Sequence, residues 1–472
     1  MIQSLFALLS ACVLHAQTPV GVSANQTTTT NPVPQARPGG LKPVAPTSLR
    51  LEFPVEKFQL ANGLTVILHQ DRSVPLISYH TWYRVGSRDE KPGITGAAHM
   101  LEHMMFKGAK KYSNKDFDRI LQENGITNNA FTTWDYTGYY ENLPSSKLEL
   151  IMDVEVDRMR HLALKAEDLK SELEVVKEER RWRIDNNPPS LLREAMFNAL
   201  FKPHPYNWPV IGTMDDIAAY TTDKLRPFYD TFYVPNNAVL VLAGDFDIPS
   251  TKKLIERHYG VLERRELPAR SYAPAAEPKK AERFTVEAEV QNSTVIIGYK
   301  GVESGHPDSF ALDLAAAVLG AGDSSRLYKK LVYRDQTATS AGGYNITNAD
   351  PGAFMVLAAM KPGLKTAGAE KILREEVLRL QKELVTETEL QKVKNQLMKD
   401  YIDGLTTIDG KAQALATNEI LFGSFEKLFT DLEKYKAVTV KDIQRVAQKY
   451  LRTEREIVGI LNPRARQKAS VQ

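Results

Sequence analysis

The chain has little cysteine, little histidine and almost no charge imbalance, and each shortage removes a class of function. Cys12 is the only cysteine in 472 residues, which excludes an intrachain disulfide and any cysteine metal site. A metal would have to be held by histidine and carboxylate. Lys and Arg number 61 against 58 Asp and Glu, a formal net charge of +3, so composition gives no reason to invoke nucleic acid or another polyanionic partner. Histidines number nine, so two of them at a chemically useful spacing beside an acid are a strong signal, with a chance expectation on the order of 0.01. The 43% hydrophobic and 25% charged fractions are ordinary for globular proteins, and the length is too great for one core, so two or three domains are expected.

The N-terminus differs in character. Leu5 to Leu14 is an apolar to weakly polar run too short to span a bilayer comfortably, and it resembles the core of a secretory signal. Residues 1–16 are therefore expected to be a signal peptide cleaved after Ala16, giving an exported, periplasmic protein. Leu9-Ser10-Ala11-Cys12 also resembles a lipoprotein processing site, which makes a lipid anchor at Cys12 the alternative. No Lys or Arg precedes the run, which fits a start upstream of Met1. Residues 17–48, rich in Thr, Pro, Asn and Gly, are expected to be a disordered leader.

The most informative residues are His99-Met100-Leu101-Glu102-His103. Residues four apart stand one turn above each other on a helix, so both imidazoles can reach one ion. Glu102 lies on the turn between them, close enough to take a proton from water activated by that ion without being a ligand. H-x-x-E-H is the inverse of the H-E-x-x-H metal motif. The bland alternative is a histidine pair on an amphipathic helix whose core is Met100, Leu101, Met104, Met105 and Phe106.

Folding is expected to begin near Leu49. Phe58 to Leu68 reads as two strands around an Asn62-Gly63 turn, and Ile77 to Arg84 as another strand. The histidine helix comes next, ending at Gly108. Ser113 and Asp116 cap a helix over Lys115 to Gln122, and Asn129 to Tyr140 alternates like one strand. Helices cover about Ser145 to Leu162 and Ala166 to Asp185, stopped by Asn187-Pro188-Pro189, and a strand lies within Phe232 to Asp247.

From Leu267 to Pro278 the chain turns Pro- and Ala-rich, marking a linker, and the residues beyond it repeat the first part faintly. The strand Thr294 to Lys300 and the helix Ser309 to Leu319 match Ile77 to Arg84 and the histidine helix in order and spacing. Ile443 to Tyr450 parallels Leu225 to Phe232, and each precedes a terminal strand. Two copies of one α/β unit of roughly 200 residues are implied, with domains at 49–265 and 284–465 and a linker at 266–283. In the second copy Ala311, Leu314 and Ala315 stand where His99, Glu102 and His103 stand in the first, so only the first copy can bind metal.

A catalytic zinc takes three protein ligands and leaves a fourth position to water, so a third must come from elsewhere. The acidic helix Glu172 to Glu179 offers candidates. Glu172 and Glu179 share a helical face, whereas Glu178 points about 100° away from Glu179. Considered alone, this run reads as a solvated helix with ion pairs to Lys177, Arg180, Arg181 and Arg183.

Taken together, these segments closely resemble the pitrilysin family of inverted-motif zinc peptidases, which includes insulin-degrading enzyme and mitochondrial processing peptidase. The resemblance covers about Phe58 to Pro463. Its most specific signature is Gly96-x-x-His99-x-x-Glu102-His103-Met104-x-Phe106-Lys107-Gly108, followed by Glu172-x-x-Val175-Val176-x-x-Glu179. Further matches are Asn129-Ala130-x-Thr132, Asp135-x-Thr137, His204-Pro205-Tyr206 and Tyr233-x-Pro235-Asn236-Asn237. The resemblance implies an α+β fold of two homologous α/β domains, each a mainly antiparallel sheet packed with helices, forming half of a clamshell. It implies one Zn2+ per chain held by His99, His103 and Glu179, with Glu102 as general base and Glu172 as a catalytic carboxylate behind the ligands. It also implies that Asn129 and Ala130 lie on an edge strand that pairs with the backbone of a peptide substrate. His204 is expected to be a packed loop residue rather than a ligand. The implied chemistry is hydrolysis of peptide bonds in unfolded peptides or small proteins by water that the metal activates and Glu102 deprotonates.

The chain departs from the family at one point. Many relatives carry, in the zinc-less repeat, an Arg and a Tyr seven residues apart that stabilise the oxyanion. The register set by Gly322-Asp323-Ser324-Ser325-Arg326-Leu327 puts Val332 and Thr339 in those places, and the nearby Arg334 and Tyr344 have the wrong spacing. Losing two such donors costs several kcal/mol of transition-state stabilisation, at about 3 kcal/mol each. A hetero-oligomer with a zinc-less homologous subunit supplying the Arg and Tyr is therefore expected. The competing expectations are a non-catalytic structural subunit of the same family and a metal-binding lipoprotein without hydrolytic activity.

Overall fold

Asn62-Gly63 turns the chain between β1 (Glu56–Gln59) and β2 (Thr65–Gln70), with Gly63 at φ 92°, a conformation that a side chain would strain. The structure is a computed structural model that describes residues 52–464. The apolar N-terminal run, Cys12 and the Thr- and Pro-rich leader lie outside the described residues. After β3 (Leu76–Tyr83) come helices α1 (Ala97–Met104) and α2 (Asn114–Glu123), the second started by Ser113 and Asp116 in a reciprocal cap. The strand expected over 129–140 is instead a hairpin of β4 (Thr127–Thr132) and β5 (Thr137–Pro144). Its turn contains neither Gly nor Pro. The Thr133 hydroxyl closes it by accepting from the N–H groups of Asp135 and Tyr136, so the apolar alternation runs on without punctuation.

Helices α3 (Leu148–His161), α4 (Ala166–Arg180), α5 (Pro188–Phe201), α6 (Met214–Ala218) and α7 (Thr222–Phe232) precede β6 (Ala238–Gly244) and α8 (Ile248–Tyr259). Between Tyr259 and Glu282 the chain forms neither helix nor strand. The second half runs β7 (Glu282–Ala288), β8 (Thr294–Lys300), α9 (Ser309–Gly320), β9 (Ala338–Ile346) and β10 (Ala353–Met360). It continues through α10 (Ala367–Lys382), α11 (Glu387–Asp403), α12 (Ile408–Phe422), α13 (Lys427–Ala437) and α14 (Val440–Tyr450) to β11 (Ile457–Pro463).

The described strands form two sheets, ordered β1-β2-β6-β3-β5-β4 and β7-β11-β8-β10-β9. Apart from β1 the two have the same plan: one parallel pair, β2 with β6 and β7 with β11, in an otherwise antiparallel sheet. β4 and β9 occupy corresponding edges. Ala311, Leu314 and Ala315 are buried in α9 within the second core, so apolar packing stands where the first half carries its histidines.

Each half also lends the other a helix. Leu192, Met196, Leu200 and Phe201 of α5 pack on Ile296, Met355, Ile457 and Leu461 of the second sheet. In return α12 lies on β3 and β6, where Asp409 accepts from Ser78 Oγ at 3.0 Å, Lys411 meets Asp71 at 2.7 Å and Glu419 meets Lys57 at 2.7 Å.

Candidate metal centre

Helix α1 is only eight residues long and would not persist alone. Met100, Leu101 and Met104 are fully buried against the first core, each worth about 1.5–3 kcal/mol, and that holds the helix in place. It ends at Met104 rather than at Gly108, which lies beyond it at φ 99° and bridges to Ser113. Its start is unusual. Gly96 has no side chain to cap it, and the buried carboxylate of Glu90 accepts instead from the N–H groups of Gly96 and Ala98, at 2.6 and 2.9 Å. Gly96 sits at φ 89°, and a Cβ there would lie 2.3 Å from the Ile211 carbonyl oxygen. No residue but glycine fits.

Helix α4 supplies the third side chain. Leu169, Glu172 and Val176 are buried along its inner stripe, and Glu179 follows on its last turn. Glu178, exposed and paired with Arg181, faces away. The Arg180 guanidinium donates to the Gly212 carbonyl at 2.7 Å, anchoring the end of α4 to the backbone that meets Gly96.

His99, His103 and Glu179 converge, each offering one ligand atom within 4.8 Å of the others. Glu179 Oε2 lies 3.2 Å from His103 Nε2 and 3.6 Å from His99 Nε2, yet it is buried without accepting a hydrogen bond. His103 Nδ1 lies 2.8 Å from Glu172 Oε1, and Glu172 also takes Lys107 Nζ at 2.5 Å. That partner accepts from Nδ1 and turns Nε2 toward Glu179, the position from which it would bind an ion. Three ligand atoms facing one another at these distances fit a divalent cation, and a His2Glu set fits zinc. Among the described residues no other cluster of this kind occurs.

The side chains by themselves set a divided titration. Burial, reinforced by His103, pushes His99 down to about 3. Burial also opposes charge on His103, but Glu172 and Glu179 outweigh it and hold the ring at about 9. Glu179 is carried down to about 2 because His103, His99 and Arg183 overcome its burial. Glu102 is buried, and desolvation raises it to about 7 despite a hydrogen bond from Thr132 Oγ1 at 2.5 Å. A carboxyl poised near neutrality beside such a ligand set is suited to moving a proton.

β4 lies at the edge of its sheet, carrying Asn129 and Ala130; the Asn129 side chain accepts from the Ala130 N–H at 2.8 Å. His204 is a packed residue away from the cluster: its Nδ1 accepts from the Tyr206 N–H and its Nε2 lies 3.3 Å from Asp350. Val332 is partly buried in the second core, and Thr339 donates to the Ala359 carbonyl, so neither position presents a cationic or phenolic donor.

Residues 65–214 match the family model described as Insulinase (Peptidase family M16), and residues 219–397 match that of the Peptidase M16 inactive domain. The chain belongs to peptidase family M16. It is 32% identical over 422 residues to zinc protease PqqE of Helicobacter pylori, covering 86% of this chain and 93% of the relative. It is 26% identical to a Bacillus subtilis protein named uncharacterized zinc protease YmxG, over 87% of this chain and 98% of that one. A crystal structure of a protease from Helicobacter pylori superposes with a TM-score of 0.83 at 30% identity, covering 87% of this chain and all of that chain. A Pseudomonas fluorescens structure titled peptidase M16 inactive domain shares the fold, with a TM-score of 0.80 at 18% identity.

In this M16 chain, sequence reasoning located the converging side chains but missed what holds them. Glu90 gave no signal, because its role depends on a loop folding back on α1. Thr132 did give one: it shares the strand face of Ala130, two residues before it, and that face turns inward.

Proposed function

We propose that this chain is a zinc-dependent endopeptidase acting on unfolded peptides, and that it serves as the zinc-bearing subunit of a two-chain clamshell. The observation that carries this reading is the convergence of His99, His103 and Glu179 beside a buried carboxylate, Glu102, that stands outside the donor set. Relatives named as zinc proteases support the choice of metal. Zinc bound there would supply a Lewis acid toward a peptide carbonyl and make water acidic enough to react at neutral pH.

The chain's own residues supply the rest. His99, His103 and Glu179 hold the ion, and Glu172 fixes the His103 ring. Glu102 takes a proton from the attacking water and returns it to the leaving amine. The free edge of β4 receives an extended peptide as an added strand, and the carbonyl of that strand replaces Asn129 Oδ1 on the Ala130 N–H. Backbone pairing of this kind selects unfolded chains over folded ones.

Val332 and Thr339 favour a partner. Each missing oxyanion donor is worth roughly 10²–10³ in rate, so the chain alone should cleave at least about 10²-fold more slowly than with a zinc-less relative that brings an Arg and a Tyr. A non-catalytic role is disfavoured because the apolar replacements lie within residues 219–397, matched to the inactive-domain model, while the converging set lies within residues 65–214, matched to the other. Zinc content and cleavage of a quenched peptide, measured alone and with a co-expressed zinc-less relative, test this. One zinc per chain with chelator-sensitive cleavage is expected; bound zinc with no cleavage in either arm would end the peptidase reading. We place the protein outside the cytoplasm, and intact-mass measurement of the mature N-terminus distinguishes cleavage after Ala16 from lipid at Cys12.

A further inference from the structure

We propose that Thr132 is a positioning residue that ties the general base to the strand receiving the substrate. This rests on the peptidase reading of the same site. The Thr132 hydroxyl donates to Glu102 Oε2 at 2.5 Å, and among the described residues it is the one side-chain hydrogen bond that this carboxylate receives. Oε1 is left without a protein donor there, so one oxygen is held and the other remains to take a proton. Glutamate has three rotatable side-chain bonds, and in this buried place the Thr132 hydroxyl is the hydrogen-bond donor that restricts them.

The support behind Thr132 is rigid. β4 pairs with β5 in a register that sets Thr132 opposite Thr137, whose own hydroxyl donates to the Val85 carbonyl at 2.9 Å. The turn between the two strands is closed by Thr133. It is clamped by Asp135, which accepts from Tyr206 OH at 2.5 Å and from the Ala349 N–H at 2.8 Å, and which lies 3.2 Å from Arg88 Nε. The motifs Asp135-x-Thr137 and His204-Pro205-Tyr206 thereby acquire a purpose: they fix the end of the strand from which Thr132 reaches α1. A peptide added to the outer edge of β4 is registered against the same backbone that aims Glu102. A misplacement near 1 Å at a reacting group can cost about 10² in rate.

Thr132→Val keeps the shape and the β-branch and removes only the donor. It is expected to lower kcat about ten- to a hundred-fold with KM within about twofold and one zinc still bound per chain, while Thr132→Ser stays within about threefold of wild type. Wild-type kcat in Thr132→Val overturns the proposal, as does a fall confined to KM or to zinc content, or a Ser variant as impaired as the Val variant. A second readout needs no turnover: urea unfolding of Thr132→Val, Glu102→Ala and the double variant. If hydroxyl and carboxylate are a pair, the double variant loses less than the sum of the singles. Additive losses overturn the proposal even where activity cannot be measured. A chain that shows this coupling but no cleavage with any partner would instead refute the peptidase reading and leave the pair standing.

Discussion

Glu172 Oε1 sits 2.8 Å from His103 Nδ1, and that contact decides which nitrogen of the ring is left for an ion. Burial raises the Glu172 carboxyl, but its bonds to His103 and Lys107 prevail and hold it below its ordinary value, so it accepts rather than donates. Glu172 therefore keeps a proton on Nδ1, and Nε2 faces Glu179, where an ion would take the place of its proton. Glu172→Gln keeps an acceptor but removes the charge, and leaves Lys107 without its partner. Zinc affinity should fall about 10- to 100-fold, as is usual when the group behind a ligating histidine is weakened. Competition with a calibrated chelator measures it, and an unchanged affinity would mean that Glu172 orients nothing.

Glu102→Gln separates binding from chemistry. The amide keeps the size of the carboxylate and can still accept from Thr132, so the donor set should keep one zinc per chain. It cannot take a proton, and turnover should fall about 10²–10⁴-fold. Metal analysis beside peptide cleavage reads both; near-normal turnover in this variant would remove Glu102 from the mechanism.

The histidine pair, the seven-residue spacing of Glu172 and Glu179, and the Asn62-Gly63 hairpin are local patterns, and local patterns can be read from a chain. What sequence could not show is what depends on distant segments meeting. The loan of α5 to the second sheet and of α12 to the first leaves no trace in periodicity, because each helix merely looks amphipathic. The turn at Thr133 escaped for a different reason: a hydroxyl does there what Gly or Pro does elsewhere, and Thr, Trp and Tyr read as strand. The choice of Glu179 over Glu178 needed the family register, since both are plausible on an isolated acidic helix.

Asp313 makes the stability of the second half depend on pH. Burial lifts its carboxyl from 3.8 to about 6, although Tyr435 OH and Asn345 Nδ2 donate to it at 2.7 and 2.8 Å. As pH rises from about 4, the unfolded chain releases this proton first, so the folded state loses stability up to about pH 6 and the deficit then stays constant. At 1.36 kcal/mol per unit this amounts to at most about 3 kcal/mol. Asp313→Asn, whose amide can donate to Tyr435 while its oxygen keeps Asn345, should remove this residue's share of the slope and unfold at higher urea than wild type above pH 6. Urea titrations at pH 5 and pH 7.5, both in chelator, check this; equal pH slopes in the two proteins would place the effect elsewhere.

Gly96 and Gly93 provide a matched pair for asking what aligns the two ligand-bearing helices. Both have positive φ, 89° and 95°, so alanine at either place strains the backbone, by about 1–2 kcal/mol. Around Gly93 a Cβ would meet nothing within 4 Å, whereas at Gly96 it would press to 2.3 Å on the Ile211 carbonyl oxygen. The next residue, Gly212, approaches the backbone of Thr95 just as closely, and its carbonyl holds Arg180, the neighbour of Glu179. This backbone contact therefore joins the start of the histidine helix to the end of the glutamate helix. Gly93→Ala should lose only the backbone cost and bind zinc normally. Gly96→Ala adds overpacking of about 1–3 kcal/mol, and because the strain is relieved by moving α1 away from α4, zinc affinity should fall with it. Unfolding midpoints and chelator competition on both variants decide the matter: if Gly96→Ala costs no more than Gly93→Ala and binds zinc as tightly, the close approach at Ile211 is not what brings His99 and His103 to Glu179.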